Sequence, residues 1–247
     1  MLDDYRYIEL ATVDSTNTQC IEYAKNGDPG NLWIRAKTQT AARGSRGRDW
    51  QSDEGNLFAS LLLLNPAEGG YASVLSGLTF VTSLALLWAI KEISNDANVK
   101  LKWPNDVLVN EKKCAGILLE NQNIQGKTAL VIGIGVNCTS HPSNTNYPAT
   151  DLISQGIAIS AEELFMSLVT HMDGFIKQWD RGRNFAEIRQ SWLKHAVGLG
   201  KPIRVKIPGQ ADETGIFETI DETGLLILDQ ENGTKKRISA ADIFFNG

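Results

Sequence analysis

The chain has 247 residues, 42% of them apolar and 21% charged, with a formal net charge of −5; this fits one large soluble domain, or a domain with a small satellite, and argues against broad nucleic-acid binding. Three widely separated cysteines, Cys20, Cys114 and Cys138, argue against a disulfide framework or a zinc site and fit reduced thiols. No leader pattern opens the chain and no apolar run reaches the roughly 20 residues of a membrane span, so a cytoplasmic protein is expected.

In chain order, residues 6–13 read as a strand. Asp14-Ser15-Thr16-Asn17 then offers several N-cap residues before a helix over 19–26 that Gly27 ends. A turn at 28–31 leads into a strand ending near Lys37. Residues 38–50 follow, with Arg43, Arg46, Arg48, Gly44 and Gly47 close together and Trp50 behind them. A strong apolar strand is expected over 56–64 and a buried helix over 72–94.

The middle is strand-rich. A strand over 99–103 precedes the tight turn Pro104-Asn105-Asp106, and 107–109 with 113–120 read as a hairpin. Residues 129–136 form an almost continuous apolar run, the pattern of a central strand buried on both faces. A polar loop spans 139–150. Helical patterns follow at 151–155, 160–180 and 184–195, the second opened by a Ser160/Glu163 capping box. Beyond a boundary near 198 the period changes to short strands, at 203–207, 214–220, 225–228, 235–238 and 243–245, which read as a small β-barrel. The expected organisation is an α/β domain over 1–197 and a β domain over 198–247.

Four polar clusters sit at strand ends, each with a plain alternative. The hydroxyls and amide of Ser15, Thr16 and Asn17 suit a neutral polar ligand head; a helix cap needs only one of them. The Arg/Gly loop can fold its cations and backbone N–H groups round a small polyanion, or be a solvated turn. In the third cluster, Lys102 to Asp106 with Lys113 and Gly116, Asp106 can hold a hard cation with Asn105 as a neutral oxygen donor, and Lys113 can point its charge into a cleft; the alternative is a turn with a solvated lysine pair. The fourth, Gly133-Ile134-Gly135-Val136-Asn137, lacks the third glycine of a dinucleotide-binding turn. His141, His171 and His195 read as structural or surface residues. Together the clusters supply cations for phosphates, a carboxylate for Mg²⁺, an aromatic for a base and an uncharged pocket. Nucleotide activation of a carboxylic acid needs that combination.

In identity, order and spacing these residues resemble the biotin protein ligases. The match runs through Asp14-Ser15-Thr16-Asn17, Arg43-Gly44-x-Arg46-Gly47-Arg48-x-Trp50, Lys102-Trp103-Pro104-Asn105-Asp106 with Lys113-x-Ala115-Gly116-Ile117-Leu118, and Ile132-Gly133-x-Gly135-Val136-Asn137. The resemblance implies an α/β catalytic domain of the biotinyl/lipoyl-ligase type with a mixed central sheet, and an SH3-like C-terminal domain. It implies that biotin and MgATP give biotinyl-5′-AMP, and that a lysine of a biotin carboxyl carrier protein then takes the biotin. Ser15, Thr16, Asn17, Gln39, Arg43 (through its backbone), Lys113, Gly116 and Gly133 would bind biotin. Arg46, Arg48, Trp50, Asn105 and Asn137 would bind the nucleotide, with Asp106 on the Mg²⁺ side. Lys113, Arg46 and Arg48 would carry catalysis.

Two departures from the family pattern stand out. The chain starts 13 residues before Asp14, so no DNA-binding domain or repressor role is expected. Ala42 and Ser45 replace a glycine and an arginine common in the family loop, and that arginine helps retain the adenylate. A lipoate or octanoate ligase is the enzymatic alternative, which the Arg/Gly loop and C-terminal unit disfavour. A non-catalytic biotin or nucleotide sensor would not need Lys113. Edge strands leave homodimerisation open.

Overall fold

The computed structural model describes residues 4–67, 72–207 and 209–245. Seven strands form the main sheet: β1 (Arg6–Val13), β2 (Leu32–Gln39), β3 (Leu57–Leu64), β4 (Val99–Lys102), β5 (Asp106–Val109), β6 (Lys112–Ile124) and β7 (Lys127–Val136). Their spatial order is β1-β2-β3-β7-β6-β5-β4. β1 and β2 are parallel, joined through helix α1 (Thr16–Lys25), and the other neighbours are antiparallel, so the sheet is mixed. β3 and β7 lie side by side at the centre, and their continuous apolar runs are covered on both faces.

One face packs on α1, where Cys20 and Ala24 meet Leu32, Ile34, Leu62 and Val131. The other face carries α3 (Gly77–Ile93), α4 (Ala161–Trp179) and α5 (Phe185–His195), with Leu84, Leu87, Leu168, Met172 and Trp192 in the larger core. Burying each such side chain stabilises the fold by about 1.5–3 kcal/mol before entropy. The capping box of α4 is formed: the Ser160 hydroxyl accepts the Glu163 N–H, and Glu163 accepts the Ser160 N–H.

The helix expected over 72–94 divides at Ser76 into α2 (Ala72–Leu75) and α3. Gly77 begins α3, where a Cβ would stand 2.9 Å from Trp179 Nε1 and 3.1 Å from Phe185, so glycine lets the helices close together. β6 runs four residues beyond its expected end at Glu120. Its polar tail, Asn121 to Asn123, has no apolar alternation to betray a strand. The tail pairs with β7 through a two-residue turn, Gln125-Gly126, with both residues at positive φ.

The C-terminal strands β8 (Pro202–Lys206), β9 (Glu213–Ile220), β10 (Leu226–Asp229), β11 (Lys235–Ile238) and β12 (Asp242–Phe245) form a five-stranded antiparallel sheet, ordered β11-β10-β9-β8-β12. Its core residues Ile203, Phe217, Leu226 and Ile243 are continuous with the main core. The buried indole of Trp103, just beyond β4, donates to the Gly224 carbonyl at 3.1 Å. This joint sets the C-terminal sheet beside the 102–106 turn and over the Arg/Gly loop.

Candidate active site

α1 begins where β1 ends, and Ser15 is its N-cap residue, but the Ser15 hydroxyl makes no capping bond. The Thr16 N–H instead donates to Gln39 Oε1 at 2.8 Å, and the Thr16 hydroxyl reaches the same oxygen. The plain capping role is therefore taken over by a side chain from β2. Ser60, a lone polar residue in apolar β3, lies 2.7 Å from Thr16 Oγ1 and 2.6 Å from Asn17 Oδ1. Asn17 Nδ2 donates to Glu120 Oε2 at 2.7 Å. The result is a fixed set of buried groups, the Thr16 and Ser60 hydroxyls and the Asn17 amide, each with its direction set by a partner.

Ser15, Thr16 and Asn17 line a small cavity together with Gln39, Arg43, Arg48, Trp50, Asn105, Lys113, Gly116 and Gly133, while Ser60 and Glu120 support them from behind. Eleven of the fourteen residues expected from the sequence thus surround one space. Arg46 and Asp106 lie in the adjoining cleft between the two sheets, and Asn137 lines a third recess with Trp50 and Tyr147. The two glycines expected to admit a ligand admit side chains of the chain itself. A Cβ on Gly133 would stand 2.3 Å from Asn17 Oδ1, and one on Gly116 2.9 Å from the Trp50 ring. Gly135 also lies beneath Trp50, whose indole N–H is buried and has no acceptor among the described residues. A polar ligand seated there would satisfy it.

Lys113 stands where the three recesses meet. A bulge puts it there: Val107 pairs with Ala115 and Leu108 with Lys113, which leaves Cys114 as the extra residue in β6. The Lys113 backbone is clamped by the end of the 139–150 loop, its N–H on the Pro148 carbonyl at 2.8 Å and its carbonyl on the Thr150 N–H at 2.9 Å. Its ammonium is 2.7 Å from Asp106 Oδ1 and lies over the Trp50 and Tyr147 rings, 5.5 and 5.0 Å from their centroids. Asn105 and Asn137 use part of their hydrogen-bonding capacity on the scaffold: their amide groups donate to the Ile117 and Thr150 carbonyls. Cys114 and Cys138 are buried free thiols, and burial pushes both pKa values up, to about 12 for Cys138.

The Arg/Gly loop folds as a narrow hairpin, with Arg43 bridging Asp49 and the Gly44 N–H on the Arg48 carbonyl. Arg46 is left-handed, at φ 61°, which costs on the order of 1 kcal/mol for a residue with a side chain. Arg46 and Arg48 both reach Asp242 of β12, at 2.9 and 3.3 Å. Arg48 also donates to the Ser45 hydroxyl at 2.9 Å, so Ser45 steadies an arginine here. Arg43 turns the other way, onto Glu120.

Sequence reading missed Glu120, Ser60, Tyr147, Asp242 and Asn56. Of these, Ser60 carried a signal, as one hydroxyl inside an apolar strand. Asn56 Oδ1 accepts the N–H groups of Cys138, Thr139 and Ser140 at 2.8, 2.9 and 3.2 Å, and its Nδ2 donates to the Ser140 carbonyl. It closes the chain just beyond Asn137. Asn56→Ala strands these buried groups and should lower stability by about 2–4 kcal/mol, seen as a lower urea midpoint at unchanged slope. An unchanged midpoint would show that the loop closes without Asn56.

Comparison with known proteins follows the same lines. The model of the biotin/lipoate A/B protein ligase family matches residues 10–137, and that of the biotin protein ligase C terminal domain matches residues 198–246. The chain is 39% identical over 246 residues to the biotin–[acetyl-CoA-carboxylase] ligase of Paracoccus denitrificans, covering 96% of this chain and 100% of that one. It is 30% identical over 235 residues to the bifunctional ligase/repressor BirA of Escherichia coli, covering 93% of this chain and 71% of that protein. The structure of the biotin protein ligase from Aquifex aeolicus in complex with biotin and ATP superposes with a TM-score of 0.82 at 28% identity, covering 98% of this chain and 99% of that one. Two matched units in the same order, and a relative matched along its whole length, place the chain in the biotin/lipoate A/B protein ligase family.

Proposed function

We propose that the protein is an ATP-dependent biotin protein ligase that forms biotinyl-5′-AMP and passes the biotin to a lysine of a biotin carboxyl carrier protein. The observation that carries this reading is Lys113, held by its bulge where a neutral polar cavity, an aromatic recess and a cationic cleft meet. A carboxylate whose neutral head fills the first space would lie beside Lys113, next to an α-phosphate from the third. The relatives support it: the Paracoccus protein is named for this reaction, and the Aquifex structure holds biotin and ATP.

Ser15, Thr16, Asn17 and Gln39 would hold the uncharged head of biotin, with Arg43 closing the cavity mouth. Lys113 would screen the two anions as they meet and then stabilise charge on the α-phosphate. Trp50 would pack on the adenine and Asn137 would line its recess. Arg46 and Arg48 would hold phosphates. Among the described residues no three His, Cys, Asp or Glu side chains converge, so Mg²⁺ would arrive on the triphosphate and neutralise it. Such an ion needs only one or two carboxylates besides phosphate, and Asp106 with Asn105 faces the cleft to meet it. The net charge of −5, with cations gathered at this site, favours a small anionic substrate over DNA. No helix among the described residues is long and apolar enough to cross a membrane, which fits work in the cytoplasm. β1 is an edge of the main sheet where a second copy could add a strand.

Incubating the protein with biotin, MgATP and a purified carrier domain should add one biotinyl group to one carrier lysine, read by intact mass and peptide mapping. No modification, or preference for lipoate over biotin, would overturn the reading. Ser45→Arg adds a cation to the loop and should slow release of biotinyl-5′-AMP several-fold, measured by retention on rapid gel filtration. Unchanged release would show that Arg46 and Arg48 suffice.

A further inference from the structure

The cleft between the main sheet and the C-terminal sheet has a volume of about 680 Å³ and a charge pattern opposite to that of the whole protein. Five cations line it, Arg46, Arg48, Lys102, Lys113 and Lys206, against two carboxylates, Asp106 and Asp242. Four of the cations have assigned partners or exposed settings: Arg46 and Arg48 share Asp242, Lys113 holds Asp106, and Lys206 is exposed. Lys102 differs. It ends β4 on the cleft floor, half-buried, and among the described residues no carboxylate comes within ion-pair distance of it. Its ammonium lies 5.6 Å from the centroid of Phe245, and its electrostatic neighbours are Asp106 and Asp242 on one side and Lys113 and Arg48 on the other. Burial, aided by repulsion from Lys113 and Arg48, pulls its pKa below the ordinary lysine value despite both carboxylates. A cation kept in such a setting costs free energy unless an anion joins it.

We propose that Lys102 is a pyrophosphate-binding residue: with Arg46 and Arg48 it takes the β- and γ-phosphates of ATP and holds the leaving group as the adenylate forms. Lys102 stands opposite Asp106 in the β4–β5 pairing, and Asp106 touches Lys113, so the β4 end places Lys102 one position beyond the α-phosphate site. In the reaction a biotin carboxylate oxygen bonds to the α-phosphorus. The bond from the α-phosphorus to the bridging oxygen breaks, and its electron pair leaves with pyrophosphate without transfer of a proton. The charge that grows on the leaving group is what Lys102 meets. The carboxylate of Asp242, seated in the fork of Arg46 and Arg48, is the group a phosphate would displace there.

The inference rests on the ligase reading, and the experiment separates the two. Lys102→Met keeps the aliphatic stem and removes the charge. It should weaken binding of inorganic pyrophosphate and raise the KM for ATP, each about 10- to 100-fold. Because the leaving group has gone before the second step, transfer from supplied biotinyl-5′-AMP to the carrier lysine should change less than about three-fold. Lys102→Arg should restore most of the pyrophosphate affinity. Lys102→Gln carries the same test if the Met variant fails to fold. Unchanged pyrophosphate affinity, or an equal fall in both half-reactions, overturns the assignment of Lys102. Absence of ATP–pyrophosphate exchange in the unaltered protein would instead overturn the ligase reading.

Discussion

Lys113→Ala should lower the rate of biotin-dependent ATP–pyrophosphate exchange about 1,000-fold or more while leaving the fold intact. The expectation comes from position. The bulge at Cys114 and the clamp from Pro148 and Thr150 hold the backbone, so the side chain can be removed without disturbing the strand. Its ammonium is the cation common to all three recesses, and no neighbour replaces it: Arg43 is paired with Glu120, and Arg46, Arg48 and Lys102 do not line the third recess. Unlike a Lys102 variant, Lys113→Ala should also slow transfer from supplied biotinyl-5′-AMP, because the same ammonium stands beside the carbonyl under attack and the departing phosphate. Lys113→Arg should rescue poorly, since a planar fork does not fit a space shaped for a point charge between Trp50 and Tyr147. The loss of its partner leaves Asp106 in a partly buried cleft, so stability should fall by about 1 kcal/mol, and the double variant with Asp106→Asn should recover it. Near-parental exchange by Lys113→Ala would remove this lysine from the centre of the reaction.

The two lysines show which parts of such a site a sequence displays. Lys113 was legible because its neighbours, Ala115 and Gly116 on one side and the 102–106 turn on the other, form a compact local pattern. The central sheet was legible for a similar reason, since β3 and β7 announce themselves as apolar runs bounded by turn residues. What was hidden depends on pairing across the chain. Asn17 meets Glu120 from 103 residues away, and Arg46 meets Asp242 from 196 away. No periodicity encodes either contact. The bulge that aims Lys113 is a register shift between two strands, which neither strand reveals alone. The close approach of Trp179 and Phe185 to Gly77 at the start of α3 is again a distant contact. Local chemistry was readable. The partners that orient it were not.

Gly133→Ala tests that orienting shell with a single methyl group. The sequence suggests a glycine that admits a ligand to the strand backbone, but the atom nearest to a new Cβ is Asn17 Oδ1, at 2.3 Å. Asn17 cannot swing aside cheaply. Its side chain is buried, its carbonyl oxygen is 2.6 Å from Ser60 Oγ, and its amide is 2.7 Å from Glu120. The methyl must push the amide off both partners, leaving Ser60 in the core and Glu120 facing Arg43 alone. Overpacking and the lost hydrogen bonds together should cost about 2–4 kcal/mol. Part of that should appear as a lower urea midpoint, and the rest as weaker biotin binding, because Asn17 and Thr16 share one wall hydrogen-bonded through Ser60. The KM for biotin should rise about 10- to 100-fold while pyrophosphate affinity, set across the cleft by Lys102, Arg46 and Arg48, stays near the parental value. Adding Asn17→Ala to the variant should relieve the clash and recover part of the lost stability, though not the biotin affinity. If Gly133→Ala binds biotin as tightly as the parent, Asn17 is free to move, and the wall built on Ser60 and Glu120 does not fix the biotin head.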